Sequence, residues 1–299
     1  MESVDEKNKK TDDNIERLNR AVSNDLEKRI YHITERAEKK RQSKSDDETE
    51  PLHNALEEKF CSGCVEENKK YLSAIAKSID LYDRLLCAEE YGQTRVSIRQ
   101  ERIVETNEPS IVAYLKNPLT DVAYKVFSKV LTDARVSYAD SFSGVCEDVY
   151  YQRAAYCILP IENYEDGRLS GFMNMIRKYE LKIALTCNVE SANGKITKFA
   201  LLKREESKMN VPEELCDGEY LEIGVSSGQN GNLNKIMSAA EYFGYAVNKV
   251  DSLPVYYSEK EYYFDIVFSE NGNLQNFLCW LDLEMPRYEV LGIYTQLKV

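Results

Sequence analysis

Up to about Glu105 the apolar residues recur at steps of three or four and never alternate. Ile15, Leu18, Val22, Leu26, Ile30, Ile33 and Ala37 mark one face of a long amphipathic helix, because 3.6 residues per turn bring such positions back to the same side. Gln42 to Glu50 is a polar break. A second helix is predicted from about Pro51 to Tyr91, with Tyr71, Leu72, Ile75, Ile79, Tyr82 and Leu86 as its apolar face and Gly92 at its stop. Helices without a sheet cannot bury such faces alone. The helical module, residues 1–105, is therefore expected to pack on itself, on the rest of the chain or on a second chain.

Beyond Asn107 the period changes. Ile111–Leu115 predicts a short strand, and Pro118 opens a helix carrying Val122, Tyr124, Val126, Phe127 and Val130, proline being suited to a first helical turn. Val136–Phe142 reads as a strand, Gly144–Gln152 as a helix, Ala155–Ile161 as a central strand and Arg168–Tyr179 as a helix. Two β-rich runs follow, Lys182–Val189 and Lys195–Lys203, with Asn193-Gly194 between them. Asn-Gly in that setting predicts a hairpin with a type I′ turn, which needs positive φ at both positions. Residues 107–205 thus read as a single α/β lobe.

The last segment, 212–299, reads strand, helix, strand, strand, helix, strand. Tyr220–Val225, Tyr245–Tyr257, Tyr262–Phe268 and Tyr288–Tyr294 are the strands, and Gly231–Phe243 and Leu274–Leu283 the helices. This βαββαβ order is the ferredoxin-like α+β plan, a four-stranded antiparallel sheet with helices on one face. Its other face needs a cover. Tyr220, Tyr245, Val247 and Tyr263 are expected to supply a self-association surface there, giving a homodimer or higher homo-oligomer.

Composition narrows the partners. The 299 residues fit two or three domains, and 43% hydrophobic residues suffice for buried cores. A net charge of −12 argues against nucleic acid and anionic membrane. No apolar run nears the roughly 18 residues of a membrane-spanning helix. Met1-Glu2-Ser3-Val4-Asp5 lacks the basic start and apolar core of a signal peptide, so a cytoplasmic location is expected. Eight cysteines without an export signal are expected to be reduced. Cys61 and Cys64 form the one close pair, and zinc would need further ligands from a chain with only His32 and His53. They read as small residues at a helix start, with no metal and no cofactor.

The most informative run is Tyr156-Cys157-Ile158-Leu159-Pro160-Ile161-Glu162-Asn163. It is an apolar strand ending in a carboxylate and an amide, the polar tip a parallel α/β sheet offers a ligand at its carboxyl edge. Phe142 and Cys146-Glu147-Asp148-Val149 precede it, and Gly167 with a helix-like stretch from Leu169 to Ile176 follows. This order resembles prephenate dehydratase, whose sequences carry an aromatic or Cys, Glu, x-Val, then Leu-Pro-Ile-Glu-Asn-Ser, a Gly and a Leu-rich helix. The C-terminal segment resembles the ACT domain that follows it. Gly244-Tyr245-Ala246-Val247-Asn248-Lys249-Val250-Asp251-Ser252-Leu253-Pro254 tracks that family's Gly-Ile-Asn-Leu-Thr-Lys-Ile-Glu-Ser-Arg-Pro. Val290-Leu291-Gly292-Ile293-Tyr294 tracks its Val-Leu-Gly-Ser-Tyr.

The resemblance implies two periplasmic-binding-protein-like lobes, the second inserted into the first. The chain would leave the first lobe on Leu181-Lys182-Ile183 and return through Asn193 and Thr197-Lys198-Phe199-Ala200-Leu201-Leu202. Where the family carries a whole lobe, this chain has a short stretch and a tight turn, so the second lobe is expected to be absent. The remnants of the dehydratase site would be Glu162, Asn163, Thr197, Lys198 and Phe199. Tyr164 stands where the family has Ser, Lys198 where it has Arg, and Lys116-Asn117-Pro118-Leu119-Thr120 where it has a glycine-rich turn. A lysine is a point charge and cannot give arginine's bidentate grip on a carboxylate. Glu162-Asn163 stay open between a ligand contact and a strand end whose asparagine caps the loop.

An ACT ligand site, by the same resemblance, would comprise Gly231, Asn232, Leu233, Asp251, Ser252, Leu253 and Pro254, and would take an aromatic, phenylalanine-like amino acid. The helical module occupies the place of a chorismate-mutase-like domain. The implied function is that of a degenerate, regulatory pseudoenzyme of L-phenylalanine biosynthesis. Two alternatives stand beside it: an active lyase turning prephenate into phenylpyruvate, water and CO2 in a cleft completed by another chain, and a purely structural oligomerising protein.

Overall fold

The computed structural model describes residues 52, 65–86, 110–131, 133–226, 233–254, 260–269, 271–285 and 287–299. The first amphipathic helix, the Cys61/Cys64 pair and the Gly231-Asn232 turn lie outside them. Of the second predicted helix, α1 (Val65–Leu86) is described. It buries Ile75, Ile79 and Leu85 and leaves Leu86 exposed. The described residues form two compact units. In the smaller, Ser78 of α1 meets Cys279 Sγ at 3.1 Å. The larger contains the whole sheet.

The first half of the sheet runs β1 (Ile111–Tyr114), α2 (Pro118–Phe127), β2 (Arg135–Tyr138), α3 (Phe142–Tyr150), β3 (Tyr156–Asn163), β4 (Gly167–Arg168), α4 (Ser170–Lys178), β5 (Lys182–Glu190) and β6 (Ile196–Lys203). Caps set the boundaries that periodicity misplaces. The Asn117 side chain accepts from Thr120 N at 2.9 Å, and Pro118 sits in the first turn of α2. Ser141 Oγ accepts from Gly144 N at 3.1 Å. This cap starts α3 at Phe142 and stops the predicted second strand at Tyr138. Arg168 likewise belongs not to a helix but to β4, where it pairs with Glu162 after a turn at Gly167 of φ 67°.

β5 and β6 form the expected antiparallel hairpin, but the turn is of another kind. Gly194 alone takes positive φ, 75°, and its N–H donates to Ser191 O at 2.9 Å, while Ser191 N donates to Lys195 O at 2.8 Å. That is a three-residue loop with glycine in the left-handed position.

The second half comprises β7 (Cys216–Ser226), α5 (Leu233–Tyr242), β8 (Ala246–Pro254), β9 (Lys260–Val267), α6 (Leu274–Glu284) and β10 (Tyr288–Leu297). Its strand order, β10-β7-β9-β8, is that of the ferredoxin-like plan. In the first half β1 runs parallel to β2 and β3, and β6 is inserted antiparallel between β3 and β5. The halves join edge to edge: Leu185–Cys187 of β5 pair in parallel with Thr295–Leu297 of β10. One mixed sheet of ten strands results, ordered β2-β1-β3-β6-β5-β10-β7-β9-β8 with β4 on β3.

This sheet is strongly curled. Six steps separate β3 from β8, and at about 4.8 Å each a flat sheet would hold them about 29 Å apart. Yet Lys249 Nζ of β8 lies 2.8 Å from Glu162 Oε1 of β3. The side chains on the convex side include Ile158, Phe199, Leu201, Leu185 and Cys187, packed with Ala123, Val126 and Phe127 of α2. On the concave side Cys157, Leu159, Ala200, Leu202, Tyr263 and Tyr294 pack with Met173 and Ile176 of α4.

Candidate functional site

Strand register decides which polar side chains share the concave face, because residues directly opposite in a ladder point the same way. Glu162 is opposite Lys198, Tyr220 opposite Tyr294, Glu222 opposite Asp265, and Asp265 opposite Lys249. Arg168, opposite Glu162, projects from β4 onto the same face. Together these residues make a charged and aromatic patch on the inside of the curl.

Arg168 is its centre. The guanidinium donates from Nη1 to Glu222 Oε1 and from Nε to Asp251 Oδ2 at 2.9 Å, and it lies 5.2 Å over the Tyr263 ring. Burial works against its charge, but Glu222 and Asp251 outweigh that and hold it above its ordinary pKa. Burial pushes the fully enclosed Glu222 carboxyl up, with Arg168 offsetting part of the rise. Lys249 bridges Glu162 at 2.8 Å and Asp251 at 3.2 Å. An unbroken chain of charge, Glu162–Lys249–Asp251–Arg168–Glu222, thus crosses the seam between β3/β4 and β8. Beside it Tyr294 donates to Asp265 Oδ1 at 2.9 Å, and Lys198 Nζ donates to Tyr294 Oη at 3.3 Å. Burial, then Glu222 and Asp265, raise the Tyr294 hydroxyl well above its ordinary range.

The residues singled out in the sequence separate under this geometry. Glu162, Lys198 and Asp251, drawn from the two resemblances, come together on the concave face. Asn163 and Thr197 pair at the strand ends, facing the other way. The Asn163 side chain accepts from Glu165 N at 3.0 Å and Asp166 N at 2.6 Å, so it caps its own loop. Phe199 is buried in the convex core, and Tyr164 is 77% exposed. Leu233 begins α5, Ser252 and Pro254 are exposed, and Leu253 packs against the concave core. Glu147 of the first motif accepts from Tyr179 Oη at 3.0 Å and ties α3 to the end of α4.

One expectation is corrected: the helix-free face of the ferredoxin-like half is covered within the chain, by Met173 and Ile176 of α4 and by Arg168 of β4. Tyr263 and Tyr245 are buried within the chain, and Tyr220 stacks on Tyr294 at 5.6 Å. Arg177 of α4 fastens the cover by pairing with Glu261 of β9 and, at 3.0 Å, with Glu289 of β10. Glu222 and Asp265 were missed because they sit in apolar runs, and Arg168 because it reads as the first residue of the helix that follows it. A lone carboxylate in Tyr220–Val225 or Tyr262–Phe268 is itself a signal, since a buried charge requires a buried partner.

The curled sheet has a counterpart among solved structures. A prephenate dehydratase from Streptococcus mutans is similar over 63% of this chain and 100% of its own, with a TM-score of 0.52 at 17% identity. The fold is that of a prephenate dehydratase. GqqA, described as a novel type of quorum-quenching acylase, matches over 62% of this chain and 94% of its own (TM-score 0.47, 18% identity). A prephenate dehydratase from Arthrobacter aurescens in complex with L-Phe matches over 62% and 89% (TM-score 0.46, 13% identity). No protein-family model and no curated protein sequence matches the chain. Among the described residues no helix is long and apolar enough to cross a membrane, and no group of three or more His, Cys, Asp or Glu side chains is placed to hold a metal ion.

Proposed function

We propose that this chain is a regulatory, non-catalytic relative of prephenate dehydratase that senses an aromatic amino acid. The observation that carries the reading is the β5–β6 hairpin. Dehydration and decarboxylation of prephenate call for positioned donors in a cleft closed to water, and such a cleft needs two walls. Where the resembled family inserts its second lobe, this chain turns back within a few residues, from Glu190 to Ile196. The inherited carboxylate is also occupied, since Glu162 holds Lys249. The C-terminal half, ACT-like by resemblance, would carry the sensing role, and self-association would use the β8 edge strand instead of the covered face.

The test is direct. Purified protein is expected to form no phenylpyruvate from prephenate above the uncatalysed rate. Its melting temperature is expected to rise with at least one of phenylalanine, tyrosine and tryptophan, because a ligand that binds only the folded state stabilises it. Phenylpyruvate formation that is lost in Glu162→Ala would instead establish an active lyase. No response to any of the three amino acids, together with no activity, would leave a structural protein.

A further inference from the structure

Lys203, the last residue of β6, is 6% exposed. Strand alternation puts its side chain on the side of Phe199 and Leu201, toward the apolar convex core. Across the ladder it is opposite Lys182, and the acids nearby serve that neighbour: Lys182 Nζ lies 3.4 Å from Glu289 and 3.9 Å from Glu206. Among the described residues Lys203 makes no ion pair. Its Nζ hydrogen-bonds instead to Ser207 Oγ at 2.8 Å. Burial pulls the amine below its ordinary value of 10.5, and the Glu205 charge offsets only part of that.

Ser207 is half-buried in the irregular stretch that follows β6, so it meets Lys203 on one side and remains open to solvent on the other. Its backbone N–H has no acceptor among the described residues, while the next N–H, that of Lys208, donates to Leu85 O at 3.0 Å and fixes the stretch. A lysine with a merely structural role at a strand end extends its ammonium to water or to an acid. This one is turned to a hydroxyl. A hydroxyl within hydrogen-bond reach of an amine that burial discharges is the arrangement of a nucleophile and its base, and serine–lysine pairs perform that chemistry without an imidazole.

We propose that Ser207 is a modification site, acylated on Oγ by an activated acyl donor with Lys203 as the base. The Lys203 amine takes the hydroxyl proton as Oγ bonds to the acyl carbon. The bond from that carbon to the leaving group then breaks, and the proton passes from Lys203 to the departing thiolate or phosphate. The Ser207 N–H supplies a donor to the carbonyl oxygen as it gains charge. Thioesters and acyl phosphates share this acyl chemistry and differ in the group that leaves. The step is one stoichiometric modification, not turnover. It goes beyond the sensing reading without depending on it, and it lies on the opposite face of the sheet from Glu222 and Asp265.

Peptide mapping of the full chain by mass spectrometry tests it, after incubation with acetyl phosphate and, separately, with an acetyl thioester. With at least one donor, acetyl should appear on Ser207 before any lysine, and the two arms identify the leaving group. Ser207→Ala should remove this product, and Lys203→Met should slow it about a hundredfold with the native circular dichroism retained. The wild-type rate should climb with pH and level off below 10.5, the ordinary lysine value, and Lys203→Met should lose that dependence. If Lys203→Met does not fold, the wild-type pH profile and Ser207→Ala still decide. Acetyl confined to lysines, a Ser207 rate unchanged in Lys203→Met, a rate that rises without levelling below 10.5, or no acetylation by either donor would each overturn the proposal.

Discussion

Lys249 of β8 holds Glu162 of β3 at 2.8 Å, although six strand-to-strand steps separate them in the sheet. The contact is possible only because the sheet curls, and Asp251, 3.2 Å from the same ammonium, passes the connection on to Arg168. A motif carboxylate that the sequence presents as a site residue therefore serves as one end of a clasp. The charges themselves contribute modestly here. The Lys249 and Glu162 side chains are 36% and 30% exposed, so Lys249→Ala should cost about 1 kcal/mol or less. The loss should shrink in high salt. Urea titrations at two ionic strengths measure this, and a salt-independent loss would assign the effect to the lysine's packing.

Arg168 behaves differently because it is enclosed. Its side chain is 5% exposed and that of Glu222 is fully buried. Arg168→Met leaves Glu222 without its counter-charge and should cost about 3–5 kcal/mol. Arg168→Met with Glu222→Leu removes both charges and should recover most of that loss. A double variant no more stable than the single one would mean that the arginine matters through Asp251 and Tyr263 instead.

The same pair sets a pH dependence. Burial raises Glu222 above its ordinary value of 4.5, so between that value and its native one the folded state binds the proton more readily than the unfolded state. Its contribution is complete below 4.5 and is lost as pH rises through the native value. The stability of the wild-type protein minus that of Glu222→Gln should therefore fall with pH above 4.5. Taking the difference cancels the remaining carboxylates. A difference that is flat above 4.5 and rises with pH below it would show that Arg168, not burial, governs the group.

Much of this architecture was legible in the sequence, and the exceptions have physical causes. Apart from β4, the order and type of the described strands and α-helices followed from periodicity, since a strand buried on both faces, such as Tyr156–Asn163, leaves a continuous apolar run. The turn at Gly194 was mistyped because Asn-Gly suits more than one hairpin loop. The curl, and with it the meeting of Glu162, Lys198 and Asp251, was not legible. Side-chain pairing across 87 residues, as between Glu162 and Lys249, leaves no local period to detect. Glu222 and Asp265 did leave a trace, as lone acids in apolar strands.

Gly292 shows how narrowly the two halves are joined. It adopts φ 151°, and a Cβ added there would lie 2.2 Å from Ile183 O of β5. No side chain fits without pushing β10 off its neighbour or breaking the bulge between Val290 and Gly292. Gly292→Ala should thus cost more than about 3 kcal/mol, strain and overlap acting together. Hydrogen exchange should show the loss of protection first at Thr295–Leu297, where β10 pairs with β5. A variant as stable as the parent would mean that the edge-to-edge joint is looser than its geometry.

The proposed non-catalytic reading has two separable grounds, the substituted motif residues and the absence of a second lobe. If the chain were silent as a lyase only because Tyr164 and Lys198 replace the family's Ser and Arg, then Tyr164→Ser with Lys198→Arg would restore phenylpyruvate formation. The geometry argues otherwise. Tyr164 is 77% exposed and Lys198 points along the concave face toward Tyr294, while Glu190 and Ile196, joined by the tight turn, leave no room for an inserted lobe. The double variant should remain inactive and should fold, because one change is on the surface and the other keeps the charge over the two tyrosine rings. Recovery of even slow turnover, dependent on Glu162, would show that a second chain supplies the missing side of the cleft.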